Sequence, residues 1–191
     1  VCAVVQPAHA HKLAAVRARA KANDARLPQA HEVLDARVVR VPRDDELVAE
    51  PPPAHFANAA VRAQAVLVQR WRERRISDVI ASLAPDFVLD DRRALVGLRL
   101  SGDDFVTNLR VLSEVQSSQW HNQPLATRGE RLTLSHVRFA GVSDSGVEFV
   151  EEHLSVWEVD ASGRWLTVVV FDLARRAAAY AELDARYAAG E

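Results

Sequence analysis

Apolar positions recur at two different periods along the chain, and the change of period divides it. Through 54–75, Phe56, Ala60, Ala63, Val66, Leu67 and Trp71 fall at helical spacing, which predicts an amphipathic helix. Ser77 stands where a cap would open a second, shorter helix over 78–83, which Pro85 would end. Phe87, Val88 and Leu89 form a brief apolar run that reads as a strand. Ser101, followed by Gly102, Asp103 and Asp104, predicts the cap and acidic first turn of a third helix, with Phe105, Leu109 and Leu112 as its stripe. Beyond it the period falls to two. Alternation predicts strands over 117–126, 131–140, 147–159 and 165–172, separated by turn-forming runs at 128–130, 141–146 and 160–163. A closing helix over 175–188 sets Ala178, Leu183 and Tyr187 roughly on one face. Helices ahead of an antiparallel meander, with one more after it, predict an α+β architecture.

Residues 1–53 lack such periodicity apart from a short Ala/Arg stretch, and they carry Pro7, Pro28, Pro42 and the run Pro51, Pro52 and Pro53. That composition predicts a Pro-rich, partly disordered leader or linker ahead of a domain over 54–191. Of the 191 residues 49% are hydrophobic, enough to bury a core, so the chain is not disordered throughout. A formal net charge of −2 exerts no global pull on nucleic acid or anionic lipid. The one cysteine, Cys2, excludes an internal disulfide and a thiolate-clustered metal site. No apolar run approaches the ~20 residues of a membrane helix, and the first residues are too short an apolar stretch for a signal peptide. The expected setting is cytoplasmic. The chain contains no methionine and begins at Val1, which fits a module joined to further upstream domains.

Three segments carry a family resemblance: RWRERRISDVIASLAPDFVLDDRR at 70–93, LATRGERL at 125–132 and AELDARYAAGE at 181–191. Together with the element order, they resemble the SnoaL-like branch of the nuclear transport factor two-like (ketosteroid isomerase-like) superfamily, over roughly 54–191. The resemblance implies a cone-shaped half-barrel. A curved antiparallel sheet would be wrapped by about three N-terminal helices and a C-terminal helix, with an apolar pocket at the wide mouth. It is nearest to C-terminal modules of multidomain regulators, and other members of the superfamily are isomerases, dehydratases and polyketide cyclases. Fold alone does not choose among these.

Isomerases of this kind use a carboxylate base and an oxyanion hole, commonly with a tyrosine. Here the only tyrosines, Tyr180 and Tyr187, fall in the closing helix. Cyclases of the branch move one proton with an acid–base pair, for which the strands offer His136, His153, Glu151 and Asp172, with Trp120 and His121 nearby. Glu151, His153 and Trp157 share one strand parity, and Leu132, Leu134 and His136 share another on the strand before. If both sets face the pocket, two histidines and a glutamate converge there. Otherwise they are wall residues. The candidate lining is therefore Trp120, His136, Glu151, His153 and Trp157, with His153, His136 and Asp90 as the candidates for catalysis. Asp90 is the carboxylate nearest the end of the first strand. The run Asp90, Asp91, Arg92, Arg93 reads as a solvated, ion-paired corner before it reads as a ligand site.

Arg70, Arg72, Arg74 and Arg75 form a basic cluster, but Glu73 and Asp78 interrupt it and Trp71 reads as a core anchor, so no nucleic-acid partner is expected. His9 and His11 lack a fixed third ligand, and no metal is expected. No glycine-rich phosphate loop or nucleophile elbow is present, and no cofactor is expected. The expected function is a non-catalytic module that binds a small apolar molecule or forms a homodimer through its sheet, with Val142, Val150, Val156 and Val168 making the outer face partly apolar. The alternative is a SnoaL-like cyclase, dehydratase or isomerase transferring a proton on a small apolar carbonyl compound without a cofactor.

Overall fold

Asn58 starts the fold of the computed structural model, which describes residues 56–142, 146 and 148–190. The leader, with Cys2, His9 and His11, lies outside the described residues. The Asn58 carboxamide oxygen accepts the Val61 N–H at 2.9 Å, which caps helix α1 (Ala59–Arg72). Its Nδ2 donates to the Gly129 and Leu132 carbonyls at 3.0 and 2.9 Å, so one side chain both opens the helix and ties it to a distant turn. After α1 the chain turns through Arg74, held at φ 58, into the short helix α2 (Ile76–Ala81). This helix starts two residues earlier than Ser77 suggested, at an N-cap of Arg75, which ion-pairs with Asp78 in the first turn.

Strand β1 (Leu83–Asp91) includes Pro85, whereas the sequence pattern predicts a strand only from Phe87. The proline fits because its segment is free of regular pairing. The β1 register against its parallel neighbour shifts between Leu83 and Val88, and the antiparallel neighbour engages only from Val88 onward. A second strand the alternation missed, β2 (Leu98–Ser101), is only four residues long. Helix α3 (Gly102–Ser113) follows, with Asp103 and Asp104 in its first turn. Ser101 is its N-cap residue, but the hydroxyl makes no capping hydrogen bond.

The meander is β3 (Gln116–Arg128), β4 (Leu132–Val142), β5 (Glu148–Val159) and β6 (Trp165–Phe171), each close to its expected span. A 3₁₀ turn, Leu173–Arg175, leads into helix α4 (Arg176–Ala188). The six strands form one curved, unclosed sheet in the order β2-β1-β6-β5-β4-β3. Every neighbouring pair is antiparallel except β1 with β6. Among the described residues no helix is long and apolar enough to cross a membrane.

Alternation along the strands divides the core in two. On the inner face, Val137, Phe139, Trp157, Trp165, Val168 and Val170 pack against Leu67 and Trp71 of α1, Val79 of α2, and Phe105 and Leu109 of α3. On the outer face, Leu132, Leu134, Leu154, Val156, Val169 and Phe171 pack beneath Ala179 and Leu183 of α4. The four valines expected to make the outer face apolar therefore part company. Val168 belongs to the inner core and Val156 lies buried under α4, which leaves Val150, 38% exposed, and the half-buried Val142 on the open outer surface.

Candidate ligand-binding site

Aromatic rings line the inner face, and all four tryptophans of the chain take part. Trp71 and Trp120 meet edge-on at 5.3 Å between ring centres and Trp157 and Trp165 at 4.8 Å, while Trp120 and Trp157 are tilted at 6.3 Å. Phe139 stands edge-on to both Trp71 and Trp120 at 5.9 Å. Edge-on contacts suit the ring quadrupoles and hold each plane at a fixed tilt.

Polar atoms are set into this apolar wall without partners. Gln64, 2% exposed on α1, accepts the Ser135 hydroxyl at 2.9 Å through its Oε1, while its Nε2 is buried and unbonded. Asn122 accepts the Trp120 indole N–H at 3.1 Å, and its own Nδ2 is likewise unbonded. Ser155 Oγ and Trp157 Nε1 are buried and unbonded too, and so, by hydrogen-bond geometry, is His153 Nδ1. The sheet register explains why they share a face. Asn122 pairs with Val137, and Val137 with His153; Ser135 pairs with Ser155, Ser155 with Val170, and Val170 with Asp91. Val137 and Val170 are inner-core residues, so Asn122, His153, Ser155 and Asp91 point inward with them. The unbonded atoms of Gln64, Asn122 and Trp157 are N–H donors, and that of Ser155 is a hydroxyl that can donate. Burying such donors unpaired is costly, by about 1–3 kcal/mol each, so their retention asks for an acceptor.

At one end of this face lies an ionic chain. Arg93, just past β1, donates from Nε to both Asp91 carboxylate oxygens at 2.9 and 3.1 Å and from Nη2 to Oδ2 at 2.6 Å. Its Nη1 reaches across to Glu151 on β5. Glu151 Oε1 in turn lies 3.4 Å from His153 Nδ1. The His153 imidazole and then Arg93, working against burial, hold the Glu151 carboxyl down at about 2. Burial lowers the Arg93 guanidinium, but Asp91 and Glu151 outweigh it and raise it above its ordinary value.

Of the residues proposed from sequence as lining, Trp120, Glu151, His153 and Trp157 come together on the inner face. His136 does not join them. It pairs with Leu154, an outer-face residue, and its Nε2 lies 3.7 Å from Glu152 Oε1, so the two histidines stand on opposite sides of the sheet. His121 is in register with Arg138 beside it, and burial, followed by Arg72, Arg138 and His136, lowers its pKa. Asp90 also faces outward. Arg92 donates to it at 2.8 Å and to Glu182 of α4 at 2.8 Å, a strap that fastens the closing helix. Its neighbour Asp91, 5% exposed, is the carboxylate turned inward. Both tyrosines sit on α4, and Tyr180 packs against the outer-face core. Gln64, Asn122 and Ser155 are not among the sequence candidates, and Asp91 and Arg93 enter there only as part of an ion-paired corner. Asn122 shares the parity of Trp120, and Ser155 that of His153 and Trp157, so alternation alone could have found both.

No family model matches the sequence, and no curated protein matches it. Solved structures do. RV0760c from Mycobacterium tuberculosis, in complex with estradiol-17beta-hemisuccinate, is similar at 12% identity and a TM-score of 0.54, over 60% of this chain and 93% of that one. The Delta 5-3-ketosteroid isomerase from Mycobacterium sp. is similar at 12% identity and 0.53, over 60% and 92%. AusH from Aspergillus nidulans is similar at 15% identity and 0.52, over 63% and 86%. The curved sheet with three helices on its inner face and one on its outer face is thus the nuclear transport factor two-like fold that these solved structures share.

Proposed function

We propose that this chain binds, without transforming, a small, flat, mostly apolar molecule bearing an oxygen acceptor, as a sensory or scaffolding module of a larger regulatory protein. The observation that carries this reading is the set of buried, unbonded donors on Gln64, Asn122, Ser155 and Trp157, framed by aromatic rings. An oxygen acceptor would satisfy them, and flat apolar surface would lie against the rings. The estradiol-17beta-hemisuccinate in complex with the mycobacterial neighbour has such an apolar ring system, though it also bears a carboxylate.

Calorimetric titration tests it, with 2-acetylnaphthalene against 2-ethylnaphthalene, which has the same shape without the oxygen. The ketone should bind saturably and at least tenfold tighter. Ser155→Ala should weaken the ketone about fivefold while leaving the melting temperature unchanged or higher, because the hydroxyl has no partner to lose. Equal affinity for both compounds, or no saturable heat, would defeat the reading.

A second reading, proton transfer on a carbonyl compound, draws on the carboxylate–guanidinium–carboxylate arrangement of Asp91, Arg93 and Glu151 beside His153. Acid–base catalysis works best with a pKa near the working pH, and Glu151 lies far below it. That weakens this reading against binding. Turnover of ketone substrates that is lost in His153→Ala at unchanged melting temperature would reverse the order.

A further inference from the structure

We propose that the ionic end of the inner face selects ligands by charge, accepting neutral or cationic molecules and turning away carboxylates, with Glu151 as the deciding residue. The inference rests on the ligand reading above and names the class of molecule the site admits.

The argument begins with a count of charge. Asp91 and Glu151 bring two carboxylates to this end, Arg93 brings one guanidinium, and the titratable His153 imidazole lies 3.4 Å from Glu151. Asp172 closes the same end of the sheet, its Oδ2 accepting the Ala94 N–H at 3.0 Å. Arg92, the neighbouring cation, points to the outer face and is engaged by Asp90 and Glu182. Arginine is the usual receptor for a carboxylate because it offers a fork of N–H donors. Here all three nitrogens are already engaged, Nε and Nη2 by Asp91 and Nη1 by Glu151. An incoming carboxylate would share that guanidinium with two carboxylates already bonded to it.

The deeper donors give no relief. They are an indole, a hydroxyl and two carboxamides, all neutral, on Trp157, Ser155, Asn122 and Gln64. Such groups satisfy a ketone, ester or ether oxygen, but they do not compensate a buried anion. Glu151 keeps its charge throughout the neutral range, and its side chain is 42% exposed, so a charged ligand can reach it. An ammonium group would find it there.

Three probes that share one ring system test this on the full chain by calorimetry at pH 7.5: 2-acetylnaphthalene, 2-naphthoate and 2-naphthylmethylammonium. The ammonium should bind at least as tightly as the ketone, and the carboxylate at least tenfold more weakly. Glu151→Gln should bring the carboxylate within threefold of the ketone and weaken the ammonium. Raising sodium chloride from 20 to 500 mM should narrow the same gap in the unaltered protein, since an exposed charge is screened. That measurement decides the matter even if the variant fails to fold. A carboxylate binding as tightly as the ketone, an ammonium binding more weakly than it, a gap unmoved by salt, or a gap that survives in folded Glu151→Gln overturns charge selection and leaves ligand binding standing. If none of the three probes binds, the ligand reading fails and charge selection falls with it.

Discussion

Asn58 shows how much one side chain can carry. It is buried, caps α1 through its oxygen and holds two carbonyls of the β3–β4 connection through its nitrogen. Asn58→Ala removes the cap, worth about 1 kcal/mol, and strands two acceptors, so a loss of about 3 kcal/mol is expected in urea unfolding. Asn58→Ser keeps a capping oxygen and should lose about 1 kcal/mol less. Sequence reading did not find this residue, because its partners lie 71 and 74 positions away. Aspartates 90 and 91 teach a related lesson. Both were visible at the end of a strand, but a one-residue difference turns one to the closing helix and the other to the inner face. Their sides follow from the register of β1 against β6, and that pairing leaves no local mark.

Whole elements were more legible than their edges. The long strands and the two longer inner helices were readable because a period sustained over many residues is a strong signal. Strand β2 was not, since four residues hold too little alternation, and Pro85 misled because proline normally excludes a strand. Helix α4 was found, though not the face of the sheet it covers. It is held there by Leu183 and Ala179 below and by ion pairs around it, including Arg186 to Glu158 at 2.6 Å and to Glu182 at 2.8 Å. Burial should dominate. Leu183→Ala is expected to cost about 3 kcal/mol in thermal unfolding and Arg186→Ala less than about 1 kcal/mol. A larger effect from Arg186→Ala would mean that the ion pairs, and not the apolar contact, fasten the helix.

At the scale of the molecule, acid stability reports on the ionic end of the inner face. Glu151 has an ordinary value of 4.5 and a folded value of about 2. A carboxylate that binds its proton less readily when folded adds stability above the ordinary value, and this is lost as pH falls toward the folded one. The urea midpoint should therefore drop between about pH 4.5 and pH 2, and Glu151→Gln should make that drop shallower. An identical acid profile in the variant would remove Glu151 as its source. The architecture was legible from element order, but the inward assembly of Asp91, Arg93, Glu151 and His153 was not, since it joins the end of β1 to β5 across β6.

The parallel pairing of β1 with β6 also orders events in time. Leu83 is in register with Trp165, and the Trp165 N–H donates to the Ser82 carbonyl at 2.8 Å. Strand β1 therefore waits, with one edge bare, until more than seventy further residues have been made, and the hairpins of the meander can zip up before it has its inner neighbour. Closing so large a loop costs entropy before any contact repays it, so this pairing is expected to form late. During synthesis the exposed edge of β1 is the part of the chain most open to pairing with a neighbouring copy. The ionic end of the inner face, which needs β1 and β5 on either side of β6, is then among the last features to form.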